Sequence, residues 1–111
     1  MEMSVEEHGV ALVVRPRGRL DGTSSPVFEQ QLLAHVDRGA SSVVLDFSEL
    51  QYISSAGLRV LLVVARRLRG ANGRLVMCGI GASLRDAFEI SGLTTIFDVR
   101  ASVTDVLAAL R

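Results

Sequence analysis

Apolar residues fall along this chain in short blocks whose spacing alternates between the periods of a strand and of a helix. The string from Val10 to Val14 and the runs within Ser42 to Phe47 and Arg74 to Cys78 are apolar without polar alternation, which is typical of strands covered on both faces. Met3 to Glu6 is predicted to pair beside the first of these as a short antiparallel edge, with Gly9 in the turn.

Proline and glycine indicate where these strands should end. Pro16 is expected to weaken the first long strand, because proline has no backbone N–H to donate to a ladder, and Gly18 to Gly22 is predicted to be a loop. A second loop is predicted through Tyr52 and Ile53. Thr95 to Val99 is a last short strand candidate.

Four segments repeat their apolar residues at helical spacing and begin near capping residues. They are a helix capped by Ser24 or Ser25 and ended by Gly39, a helix from Ser54–Gly57 to about Leu68, a helix from Ser83 to Ile90, and a final helix capped by Ser102 or Thr104. Together with the strands they predict an α/β domain. We expect a mixed, mostly parallel sheet of four to five strands, about four helices and right-handed crossovers.

Length, charge and composition narrow the classes of function. A chain of 111 residues supports one hydrophobic core, so residues 1–111 are predicted to form a single domain. The net charge is zero, without the electrostatic attraction that nucleic-acid and membrane binders use. All twelve basic residues are arginines, which excludes Schiff-base and Walker A lysine chemistry. The single Cys78 and the acidic Met1 to Glu7, which lacks the features of a secretory signal, indicate a reduced cytoplasmic setting.

The sharpest chemical feature is the segment from Asp46 to Leu58, which places Ser54 and Ser55 between a buried strand and a helix start. A helix N-terminus carries unpaired N–H groups and about half a positive charge, so a phosphate on Ser55 would be tolerated there. The phosphate would add about −1.5 to −2 charges and would repel an acidic or tightly packed partner. The residues alone leave a plainer alternative, in which both serines only cap the helix, as serines often do.

Three separated stretches resemble the STAS domains of bacterial anti-sigma-factor antagonists. Val43 to Leu62 is similar to the family signature, in which a strand and an acidic-Leu-Ser loop lead to Asp-Ser-Ser-Gly-Leu or Asp-Ser-Thr-Gly-Leu. Gly18 to Asp21 resembles the family's Gly-x-Leu-Asp loop, and Ile90 to Leu93 resembles its late Ser-Gly-Leu turn. This chain departs from the signature with Ser54 at the usual Asp position and Ala56 at the second Ser or Thr.

The resemblance implies a partner switch. The unphosphorylated domain would bind an anti-sigma factor that is also a serine kinase and free its sigma factor. Phosphorylation at Ser55, with Ser54 as a competing acceptor, would break that complex, and a phosphatase would restore it. The kinase would supply ATP, so the domain is expected to need no cofactor and not to be an enzyme. The implied partner-binding residues are Asp21, Ser54, Ser55, Ala56, Gly57 and Arg59; for Asp21 a turn-capping role is the alternative.

Two other functions stay open at this point: a STAS scaffold that binds another protein without phosphorylation, and a sensor that holds a nucleotide phosphate at the same helix start.

Enzyme and metal chemistry are disfavoured. His8 and His35 lack partners at ligand spacing, the Gly-x-Ser-x-Gly elbow of hydrolases is absent, and Asp46 lacks the acidic pair and lysine of a receiver domain. Cys78 is predicted to be an inert core thiol, because apolar surroundings raise a thiol pKa.

Overall fold

The strands join into one mixed sheet in the computed structural model, which describes residues 1–9, 11–90, 92, 97–100 and 102–109. They are β1 Glu2–His8, β2 Ala11–Leu20, β3 Ser42–Asp46, β4 Leu50–Ile53, β5 Arg74–Cys78 and β6 Asp98–Arg100. The order is β1-β2-β3-β5-β6, and β4 pairs with β2. The β1–β2 pair is antiparallel, whereas the other described pairs are parallel.

The helices of the described residues are α1 Ser25–Asp37, α2 Ser55–Gly70, α3 Ala82–Ile90 and α4 Val103–Ala109. The first three bury their apolar residues in the larger core, as Phe28, Leu61 and Phe88 do. On the opposite side of the sheet, Val106 of α4 packs in a smaller cluster with Val44. The strand interiors are therefore covered on both faces, which explains why their sequences lack polar alternation.

The predicted architecture is confirmed: the fold is α/β, the sheet is mixed and mostly parallel, and the described residues contain four helices. Leu50–Ile53 brings the number of strands to six in the described part of the chain. In the described part of the last predicted strand, residues 97–99, Asp98 and Val99 lie in β6, which extends to Arg100. Val10, Ser91, Leu93 and residues 94–96 lie outside the described residues, so part of that strand and of the Ser-Gly-Leu turn is not described.

The predicted loop from Gly18 to Gly22 is wrong for its first three residues, because β2 continues past Pro16 to Leu20; Asp21 and Gly22 do lie in a turn. The pairing of β2 with β3 ends at Val14, and its pairing with β4 begins at Gly18. Pro16 falls in the gap between these two partners. Pro16 stays opposite Met3 of β1, but on the β3 and β4 side no strand lies beside it whose ladder a missing N–H would interrupt.

The prediction of a loop through Tyr52 and Ile53 is also wrong, because both residues belong to β4. In this short strand Leu50 and Ile53 are buried while the two central residues are exposed. That pattern does not show the alternation by which strands are recognised in a sequence. The strand forms because the extended end of β2 offers it a partner.

Candidate functional site

The ends of β2 and β4 meet the start of α2 at one junction. Leu20 lies opposite Ile53 in the parallel register, and both side chains are buried. The backbone N–H of Ser54 donates to the carbonyl of Leu20 at 2.8 Å. This bond fixes the start of α2 relative to the sheet, and it lies one residue from both Asp21 and Ser55.

The two adjacent serines of the junction have different roles in the structure. Ser54 is the N-cap of α2: its hydroxyl oxygen accepts from the N–H of Gly57 at 3.3 Å, and its carbonyl accepts from the N–H of Leu58 at 2.9 Å. Ser54 is half-buried, whereas Ser55, the first residue of the helix, is exposed. The capping alternative therefore applies to Ser54, and the hydroxyl of Ser55 lies at the surface beside the positive end of the helix.

Gly57 allows α2 to approach the strands closely. A Cβ at this position would lie 2.7 Å from Cγ1 of Ile53 and 3.1 Å from Cδ2 of Leu20. Any larger residue would push the first turn of α2 away from the junction and move Ser55 with it. Of the other predicted site residues on this helix, Ala56 is half-buried and Arg59 is exposed.

Asp21 begins the turn that joins β2 to α1. Its Oδ1 accepts hydrogen bonds from the backbone N–H groups of Thr23 at 3.0 Å and Ser24 at 3.1 Å. These bonds lower the pKa of the Asp21 carboxyl, and the bond from Ser24 has the largest effect. The carboxyl is therefore charged at neutral pH. Ser24 is the N-cap residue of α1 but makes no side-chain capping bond; its hydroxyl donates to the carbonyl of Arg19 at 2.8 Å instead.

The structure thus brings the predicted site residues to one end of the sheet, although they come from two distant parts of the sequence. Asp21 follows Leu20 directly, and Ser55 follows Ser54 directly, so the Leu20–Ser54 hydrogen bond joins the two segments. Arg59 lies one turn further along α2. The turn-capping role expected as an alternative for Asp21 is present in the structure.

A STAS domain model matches residues 2–106 of the chain. The chain belongs to the STAS family. The match includes both segments of the junction, so the site described above is a part of the STAS fold itself.

Relatives of this STAS domain share its length and its fold. BtrV of Bordetella bronchiseptica, provisionally named an anti-sigma factor antagonist, is 40% identical over 100% of this chain and 96% of its own length. The crystal structure of an anti-sigma factor antagonist from Mycobacterium paratuberculosis has a TM-score of 0.89 at 27% identity and covers 97% of this chain and 92% of its own. The Bacillus cell fate determinant SpoIIAA in its phosphorylated form shares the fold, with a TM-score of 0.78 at 21% identity. The match covers 99% of this chain and 100% of SpoIIAA.

Two residues beside the junction of this STAS domain are absent from the predicted site. The guanidinium carbon of Arg19 lies 4.2 Å from the ring centroid of Tyr52, and the two residues are partners in the β2–β4 register. The sequence carries one signal for this face, the arginines at alternate positions 15, 17 and 19. The pairing with Tyr52 is not visible in the sequence, because the prediction placed Tyr52 in a loop.

Asp46 has a structural role in this STAS domain. Its carboxylate is almost completely buried, and Oδ2 accepts from Nε of Arg15 at 2.8 Å. Its Oδ1 accepts from the N–H of Ser48 at 3.0 Å. Gly79, at φ +69°, leaves room for this carboxylate, since a Cβ there would lie 2.5 Å from Oδ1. Both oxygens are engaged in holding the loop that leads to β4, so Asp46 does not offer the accessible carboxylate of a receiver domain.

Cys78 is buried at the end of β5, as the sequence predicts. Burial raises the pKa of its thiol to about 11, and the thiolate is the reactive form. We therefore expect no labelling of the folded domain by an aromatic disulfide reagent at pH 7.5, and full labelling once the domain is unfolded in guanidinium chloride. Rapid stoichiometric labelling without denaturant would contradict the inert-core interpretation.

Neither a metal-binding cluster nor a membrane-spanning helix is found in the part of the chain that the structure describes. Within residues 1–9, 11–90, 92, 97–100 and 102–109, no group of three His, Cys, Asp or Glu side chains is arranged to hold a metal ion. None of the helices described for this chain combines the length and the apolar character that crossing a bilayer demands.

Proposed function

We propose that this STAS domain is an anti-sigma-factor antagonist that is switched off by phosphorylation of Ser55. In its unphosphorylated form it binds a cytoplasmic serine kinase that is also an anti-sigma factor, and the bound sigma factor is released. The observation that carries the proposal is the exposed Ser55 at the first position of α2, next to a Ser54 whose hydroxyl is already used as the helix cap.

The names of the relatives support the antagonist role. BtrV is aligned over the whole of this chain, and the matched proteins include anti-sigma F and anti-sigma-B factor antagonists. SpoIIAA, which shares the fold, is described in a phosphorylated form. A protein of this architecture therefore accepts a phosphate, and Ser55 offers an exposed hydroxyl at a helix start of this chain.

The proposed chemistry requires only the Ser55 hydroxyl from this domain. The kinase transfers the γ-phosphoryl group of its ATP to Oγ of Ser55: the Oγ–P bond forms, the bond to the ADP oxygen breaks, and the hydroxyl proton is lost. Hydrolysis by a phosphatase restores the hydroxyl and releases inorganic phosphate. The domain itself performs no catalysis and uses no cofactor.

Phosphorylation of Ser55 should change the charge of the contact surface without changing the structure of the domain. A phosphate adds about −1.5 to −2 charges at neutral pH, and the N-terminus of α2 stabilises that charge. The Leu20–Ser54 bond and the close packing at Gly57 hold the helix start in place. The added charge then repels the partner surface that faces Ser55, so the complex dissociates without refolding of this domain.

Asp21, Ala56 and Arg59 complete the proposed contact surface, and the buried Gly57 supports it by holding the start of α2 in place. Asp21 is charged and lies beside the junction, so we propose that it meets a basic group of the kinase. Arg59 is exposed one turn after Ser55 on the same helix. Ser54 contributes as a cap, which removes it as a competing acceptor in this proposal.

Phosphosite mapping tests the proposal. The wild type, Ser55→Ala and Ser54→Ala are incubated with ATP and the serine kinase/anti-sigma factor from the genome that encodes this chain, and the products are digested and mapped by mass spectrometry. We expect phosphate on Ser55 in the wild type and in Ser54→Ala, and none in Ser55→Ala. Loss of a cap costs about 0.5–2 kcal/mol, so circular dichroism must show that Ser54→Ala is folded.

The opposite results have definite meanings. A phosphate that maps to Ser54 would contradict the assignment of Ser55 as the acceptor. An unmodified wild type that still binds the kinase would contradict the phosphoswitch and support the STAS scaffold that binds without phosphorylation.

A further inference from the structure

Three arginines stand at alternate positions of β2, at 15, 17 and 19. Two of them are neutralised by the neighbouring strand: Nη1 of Arg15 lies 2.9 Å from Oε1 of Glu6, and Nη2 of Arg17 lies 2.8 Å from Oε2 of Glu2. The third, Arg19, lies beyond the end of β1, because the pairing of the two strands stops at Glu2 and Arg17.

Arg19 packs on an aromatic ring instead of a carboxylate. Among the described residues it makes no salt bridge, and its guanidinium lies over the face of Tyr52 at 4.2 Å from the ring centroid. Tyr52 is 40% exposed. A guanidinium stacked in this way keeps its N–H edges free for a carboxylate, and the stack orders both side chains before any partner arrives.

This stacked pair adjoins the proposed phosphoacceptor. Arg19 comes two residues before Asp21, and Tyr52 comes three residues before Ser55. The next residues of the two strands, Leu20 and Ile53, point into the core. Arg19 and Tyr52 are exposed beside these buried residues, so they lie on the outer face, next to the junction.

We propose that Arg19 and Tyr52 form a second docking contact for the anti-sigma partner, one that takes a carboxylate against the guanidinium edge and an apolar side chain against the ring. The inference rests on the proposed function, since it assumes the same partner. Tyrosine and arginine are enriched among the residues that dominate the energetics of protein interfaces. Arg19 acts on the Asp21 carboxylate through its charge alone, without a salt bridge, so its N–H edges are available to an acidic group on the partner.

The test is a binding titration of the unphosphorylated domain with the serine kinase/anti-sigma factor from the same genome. Tyr52→Ala and Arg19→Ala are each expected to lower the affinity by about tenfold or more, and Arg19→Glu is expected to lower it further by repelling the acidic group. Tyr52→Phe keeps the ring and should bind like the wild type. Because the two side chains act as one unit, the double alanine variant should lose much less than the product of the two single losses.

A matched control separates this contact from a general effect of removing an arginine. Arg69 is an exposed arginine in the last turn of α2, at the opposite end of that helix from Ser55, and Arg69→Ala should bind like the wild type. Thermal unfolding of every variant checks that the fold is intact. Variants at Arg19 and Tyr52 that are folded and bind within about twofold of the wild type would overturn the inference.

Ser55→Asp in the same titration distinguishes the failure of this inference from that of the proposed function. If Ser55→Asp loses the partner and Tyr52→Ala keeps it, the docking contact is wrong and the switch stands. If Tyr52→Ala loses the partner and Ser55→Asp keeps it, the docking contact stands and the switch is wrong.

Discussion

Ser55→Asp should lower the affinity for the serine kinase/anti-sigma factor by about 100-fold, because a negative charge placed against a packed partner surface costs several kcal/mol and each 1.4 kcal/mol is a factor of ten. Ser55 is exposed at the first position of α2. Acidic residues are favourable in the first turn of a helix, so the substitution should not weaken the domain. The loss of binding is then attributable to the interface. Isothermal titration calorimetry of the kinase/anti-sigma factor with Ser55→Asp and with the unphosphorylated wild type measures the difference in affinity.

Ser55→Asn is the matched control for this experiment. Asparagine has almost the size of aspartate but no charge, and it is accepted near helix starts. We expect it to retain most of the affinity. Equal losses for Ser55→Asp and Ser55→Asn would show that the partner excludes any larger side chain there, and electrostatic switching would then be the wrong explanation.

Leu61→Ala should destabilise the domain by about 2–5 kcal/mol, the usual cost of truncating a fully buried leucine. Leu61 is in the middle of α2, is completely buried and belongs to the larger core. Its removal leaves a cavity between the helix and the sheet that the close-packed neighbours cannot fill. Urea unfolding followed by circular dichroism measures the change in the free energy of unfolding.

Leu62→Ala provides a comparison within the same helix. Leu62 is adjacent in sequence but only partly buried, and it packs against the rim of the same core. Its truncation removes the same atoms from a partly solvated position, so a clearly smaller loss of stability is expected. Similar losses for the two variants would mean that α2 is not oriented as described.

The backbone structure of the proposed phosphoacceptor region was predictable because its signals are local. A serine pair before an apolar helix predicts a cap and a first helical residue from backbone geometry alone, and Ser54 and Ser55 take these positions. Asp21 followed by small polar residues predicts a turn, and the turn is formed by its own carboxylate. The assignment of the exposed hydroxyl to Ser55 needed the structure, since either serine is able to cap a helix.

β4 was not predictable because its stability is not local. Its four residues lack alternation, and they become a strand only when the last residues of β2 lie beside them. The same pairing places Tyr52 under Arg19. The two residues are 33 positions apart in the sequence (52 − 19), so neither side chain indicates the contact by itself.

By itself the sequence determined the α/β class, the buried strands and the helices, because each depends on periodicity or capping within a few neighbouring residues. The position proposed for the switch came from the resemblance of Val43 to Leu62 to the STAS signature. Only the tertiary structure decided how far β2 extends, that Leu50–Ile53 is a strand, that Asp46 is held by Arg15, and that Arg19 lies on Tyr52. Each of these depends on which distant segment of the chain packs against the residue or strand in question. That is set by strand register and packing, since a shift of one residue would turn every side chain to the other face of the sheet.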